Sequence, residues 1–215
     1  MRRLALAFAI VALCLGCSSS TGPGGAEDAP QRTSPGAVVQ QLQDAYEAMD
    51  CELFVDCLAD SFVFHLSESA VNDDDWIPES WGRAIEDSVH MRMLGSLEVA
   101  PSDSVLQISL SMAINDSVHS PGADSLSPGD DRWTIRVDAL LRVWYPNDLQ
   151  RIASSDQRFI IRVDPDDTGR DNEPLYEILD WEDIDPWLGA RDPAAPPAVE
   201  DGSWSHIKLL YSNIR

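Results

Sequence analysis

Basic residues are scarce in this chain of 215 residues: 15 lysines and arginines stand against 37 acids, for a formal net charge of −22. So acidic a body repels phosphate backbones, which argues against nucleic acid as a partner. It is also repelled by anionic lipid, so any hold on a membrane needs a covalent or inserted anchor. Four scattered histidines and no Cys-x-x-Cys leave no basis for a zinc or iron centre. There is no glycine-rich phosphate loop, no assignable Ser-His-Asp set and no internal repeat, and no cofactor is implied. No apolar run reaches the roughly 20 residues that cross a bilayer comfortably. What is present is enough aliphatic and aromatic material, including seven tryptophans, to exclude a disordered chain, in a length that suits one domain with a real core.

Arg2 and Arg3 open the chain, and Leu4 to Leu15 are apolar throughout. This has the length of a signal-peptide core. Gly16 and Cys17 follow, then SSSTGPGGA over 18–26. Leu15-Gly16-Cys17 resembles part of a bacterial lipobox, although Cys14 stands where that family prefers leucine. The resemblance implies cleavage before Cys17, a diacylglycerol on its thiol and an acylated amino terminus, and several acyl chains anchor stably where one is marginal. Ser18 after the cysteine resembles an outer-membrane address. Residues 1–16 are then signal peptide and 17–36 a flexible tether, and loss of Arg2 and Arg3 takes the charge from −22 to −24. Of the remaining cysteines, Cys57 reads as a core residue. Cys51 is left open: on one helix the pair would sit about 9 Å apart along the axis, too far for a disulfide.

Ser34-Pro35 reads as an N-cap with proline in the first turn. Val38, Val39, Leu42, Ala45, Tyr46 and Met49 then recur at helical spacing. Asp50 caps a second short helix with Leu53, Phe54, Cys57 and Leu58 inward. Residues 62–66 read as a strand. A third helix is expected from about Pro78 to Leu94, with Trp81, Ile85, Val89 and Met93 on its inner side. From Leu106 to Ile114 the period becomes two, the mark of a half-buried strand. A loop is expected over 115–131, then strands at 133–143, 158–163 and 175–181. Residues 185–203 form a second Pro/Ala/Asp-rich tether, and WSHIKLLY, 204–211, is apolar enough to dock back. Short helices followed by alternating strands imply an α+β domain with an antiparallel sheet.

YEAMDCELFVDCLADSFVFH (46–65), SWGRAIEDSV (80–89) and LYEILDWEDI (175–184), in that order, resemble the nuclear-transport-factor-2-like superfamily over roughly residues 37–185. The resemblance implies a curved antiparallel sheet wrapped on the N-terminal helices as a cystatin-like cone with an apolar cavity, leaving 186–215 as linker and docking segment. It implies a pocket walled by Tyr46, Phe64, Trp81, Ile85 and Val137. Ketosteroid isomerase, scytalone dehydratase, limonene epoxide hydrolase and many non-catalytic modules share the superfamily, so fold alone does not deliver function. The isomerase set of a carboxylate base with a tyrosine and a protonated acid does not carry over, because its tyrosine would fall near Leu42 and its base near Leu66.

The expectation is a lipid-anchored envelope protein, on the membrane through Cys17, whose non-catalytic domain binds an apolar small molecule or another protein, with a homodimer left open. One alternative is a cavity enzyme of isomerase or dehydratase type using His65 or Asp138 as base; an imidazole titrates near pH 6.5, which suits proton transfer. Another is a calcium-dependent surface module using NDDDW (72–76) and DPDDTGRDNE (164–173), although the second lacks the closing glutamate of an EF-hand at Leu175.

Overall fold

The computed structural model describes residues 32–72, 77–95, 97, 99–101, 103–121, 131–169, 172–184 and 201–212. The signal segment, Cys17, most of the first tether, Trp76 and residues 186–200 lie outside the described residues.

Helix α1 (Pro35–Ala48) starts where the Ser34 hydroxyl accepts from the Ala37 N–H, with Pro35 preset for the first turn. It ends on Met49 in the left-handed region, φ 54°. Asp50 caps α2 (Cys51–Asp56) by accepting from the Leu53 N–H at 3.0 Å. The chain then forms β1 (Leu58–His65), the short helix α3 (Glu68–Asn72), β2 (Ser80–Gly82) and α4 (Arg83–Met93). Three long strands follow: β3 (Gln107–Ser120), β4 (Arg132–Trp144) and, after a 3-10 turn at Pro146–Asp148, β5 (Gln150–Thr168). They lead to β6 (Pro174–Ile184), β7 (Asp201–Gly202) and α5 (Trp204–Tyr211).

The sheet runs β2-β1-β6-β5-β4-β3, with β7 extending the pairing of β5 at Ile152 and Ala153. Its concave face carries Ile135, Val137, Ala139, Leu141 and Val143 of β4 with Phe159 and Ile161 of β5, all buried against α1 and α5. This is the expected α+β cone, formed by a curved mixed sheet.

Several local expectations are corrected. The sheet is not wholly antiparallel: β1 lies parallel to β6, and β7 parallel to β5. The third helix starts at Arg83, because Ser80–Gly82 pairs with β1 as a strand instead. Strand β3 runs on to Ser120 through what the Ser- and Asp-rich composition marks as loop. It can do so because β4 pairs with it along its whole length, past a register shift between Ile114 and Asp116. β5 is likewise far longer than 158–163 and takes in Asp164, Asp166 and Asp167. The C-terminal segment docks as expected, but as part of the core: Trp204, Ile207, Lys208 and Tyr211 are all buried.

Candidate functional site

The interior of the cone is where a pocket is expected, and α5 packs into it. Tyr46 of α1, Phe64 of β1, Trp81 of β2 and Trp181 of β6 are buried there with Trp204 and Lys208 of α5. Tyr46 and Trp181 each meet the Trp204 ring edge-on, with centroids 5.2 Å apart.

Polar groups converge in this apolar setting. Lys208 is the only lysine of the chain, and its side chain is wholly buried. Its ammonium donates to Glu86 Oε1 and sits 3.5 Å from the centroid of the Phe64 ring and 3.6 Å from that of Trp181. Trp81 Nε1 donates to the other Glu86 oxygen at 2.6 Å. Burial pulls the Lys208 pKa down to about 8, against the upward pull of Glu86.

One turn along α4, His90 Nδ1 donates to the Glu86 carbonyl at 2.9 Å, and Tyr46 Oη donates to His90 Nε2. Phe54 stacks on the imidazole at 3.6 Å. Burial, with Lys208 nearby, holds His90 well below the ordinary imidazole value, so the ring is neutral. Burial and then Glu86 push the Tyr46 phenol well above its usual range. A second chain of hydrogen bonds ties α5 to the sheet. Trp181 Nε1 donates to Gln157 Oε1, and Gln157 Nε2 donates to Asp183 Oδ1 at 2.6 Å. The other Asp183 oxygen accepts from the N–H and the hydroxyl of Ser205 at 2.7 and 2.6 Å.

Of the residues expected to wall a pocket, Tyr46, Phe64, Trp81 and Val137 come together inside. Ile85 does not: it is 38% exposed. The inward face of α4 is instead Glu86, Val89, His90 and Met93. An apolar stripe count places Glu86 and His90 outside, yet the partners that satisfy them, Lys208 and Tyr46, come from α5 and α1. The available signal was the single lysine set in an apolar helix and the four-residue spacing of Glu86 and His90. Of the two candidate bases, His65 sits on the rim, 43% exposed, with Nε2 2.9 Å from Asp180 Oδ2. Asp138 is on the convex face, exposed, where Asn115 donates to it.

The acidic segment after Val163 lines a surface cleft of about 240 Å³ with Arg32, Arg83, Arg162 and Glu177. Two of its acids are paired: Arg32 meets Asp164 at 3.4 Å and Asp167 at 3.7 Å, and Asp164 Oδ1 accepts from the N–H groups of Asp166 and Asp167. Arg162 pairs with Glu177 at 2.7 Å. Cys57 is a free, buried thiol pushed up to about 12, chiefly by burial.

No protein-family model matches the chain, and no curated protein matches it. Solved structures offer distant likenesses. One is a conserved protein from Planctomyces limnophilus, 13% identical over 69% of this chain and 91% of that one, with a TM-score of 0.47. A ketosteroid isomerase-like protein from Erwinia carotovora atroseptica is 10% identical over 69% and 91%, at 0.45. An NTF2-like superfamily protein from Salmonella enterica serovar Typhimurium is 7% identical over 74% and 92%, at 0.47. Likenesses so distant carry no argument about activity or ligand. The cone is read from this chain's own strands and helices.

Proposed function

We propose that this chain is a lipid-anchored envelope protein, held to the outer membrane through Cys17, whose folded body is a non-catalytic binding domain. The anchor rests on the apolar run up to Leu15, the Leu15-Gly16-Cys17 step and the Ser/Gly-rich tether after it. One observation supports the non-catalytic reading. The interior is occupied by the chain's own α5, while His65 and Asp138 open onto other surfaces. A cavity base must reach its substrate's proton. The interior histidine, His90, has both ring nitrogens committed, to Tyr46 and to the Glu86 carbonyl.

Mass spectrometry of membrane-extracted protein should find the lipid on Cys17, and Cys17→Ser should move the chain to the soluble fraction. An unmodified, soluble wild type would end the anchor. Turnover of a cyclic enone or a hydroxylated substrate that disappears in His65→Ala or Asp138→Asn would overturn the non-catalytic part.

A further inference from the structure

We propose that the interior of the cone is a binding site for a small organic ammonium ion, and that Lys208 of α5 occupies it as an internal stand-in. The inference rests on the binding-domain reading above and gives it a ligand class.

The receptor half of the site is built without α5. Glu86 comes from α4, Phe64 from β1, Trp181 from β6 and Trp81 from β2. Two aromatic faces and a carboxylate oriented by an indole N–H form the arrangement that favours a cation, and quaternary ammonium in particular. The Lys208 ammonium sits about equally close to both rings while bonded to Glu86.

As a device for stability alone, this is a poor use of the core. A buried ion pair can often be replaced by apolar residues of similar volume at no loss, and neighbouring positions of α5 are already Ile207 and Leu209. The other 14 cations of the chain are all arginine, yet the position facing the rings carries the one side chain that ends in a compact ammonium. The whole body is strongly acidic, which raises the local concentration of cationic ligands. Helix α5 is eight residues long and follows directly on β7, which pairs with β5 at Ile152 and Ala153. A helix so short has little stability apart from its packing, so a ligand that takes the place of Lys208 has only docking contacts to compete with.

The single lysine makes the test direct. Choline, which has no amine to compete for an amine-selective reagent, is added at millimolar concentration to the full wild-type chain during brief treatment with an N-hydroxysuccinimide ester of acetic acid, and Lys208 acetylation is read by peptide mass spectrometry. Parallel samples contain sodium chloride or 3,3-dimethylbutan-1-ol, the neutral isostere of choline. Alkylation of Cys57 reports whether the body stays folded. The expected result is a severalfold faster modification of Lys208 with choline alone, while Cys57 stays protected. No acceleration, equal acceleration by the neutral isostere, or joint opening of Cys57 overturns the proposal. Lys208→Met supplies a second reading. With the internal ammonium gone, choline should raise the melting temperature of the variant more than that of the wild type; equal shifts count against the site. Should the variant not fold, the wild-type measurement decides. These outcomes do not depend on the lipid at Cys17 or on turnover, so the ammonium site and the anchored, non-catalytic reading can fail separately.

Discussion

Glu86 and Lys208 lie 122 positions apart in the chain and meet at the centre of the cone, both side chains shielded from solvent. Breaking such a pair leaves an uncompensated charge in the core, a loss of about 3–5 kcal/mol. Glu86→Gln and Lys208→Met should each lose that much stability by urea unfolding. The double variant should lose much less than the sum, since neither charge is then stranded. Additive losses would show that the two groups do not interact.

The buried imidazole of His90 makes stability depend on pH with a definite sign. Its folded pKa lies well below the ordinary 6.5. Below about pH 6.5 the unfolded chain therefore binds a proton that the native chain does not, and stability falls with falling pH at up to about 1.4 kcal/mol per pH unit. His90→Gln should remove that component. Glu177, Asp87 and Asp156, whose pKa values are raised by burial, contribute with the opposite sign in both proteins. The test is therefore the difference between the wild-type and variant stability curves from pH 7 to pH 5. Parallel curves would contradict a neutral buried His90.

Cys57 should resist iodoacetamide at pH 8 in the native protein, because burial pushes its thiol up to about 12 and the thiolate is the reactive form. Adding urea through the unfolding transition should release the block. Native-state labelling as fast as that in urea would place the thiol at the surface.

Ser34→Ala and Asp50→Ala each remove a side-chain acceptor from a helix start. Each should cost about 1 kcal/mol in denaturant unfolding. The caps serve different helices and share no partner, so the double variant should show the sum. No measurable loss in either single variant would mean that its helix start is held by tertiary packing instead.

Elements governed by local signals were legible in the sequence. Ser34-Pro35 and Asp50 place the first two helices, and the alternation from Trp133 to Val143 places Val137 and Asp138 on opposite faces of β4. Strand length was less legible, because composition is a local quantity and pairing is not. Residues 115–120 look like a loop and become strand because Arg132–Val137 lies alongside them. The site was read in part. Tyr46, Phe64, Trp81 and Val137 are apolar or aromatic on inward faces, and a periodicity argument finds such residues. Glu86 and His90 were missed and Ile85 misplaced by the same argument, which assigns charge and polarity to solvent.

The sequence by itself determined a strongly acidic α+β chain, the starts of its first two helices, the two-faced alternation of its strands and a C-terminal apolar segment able to dock. Each follows from spacing between near neighbours along the backbone. Only the tertiary structure decided that α5 packs inside the cone, that β1 runs parallel to β6 and that the sole lysine is buried on Glu86 between two aromatic rings. A buried charge is tolerable only when its partner is already in place. That partner stands on a helix more than a hundred residues away, beyond the reach of any local pattern.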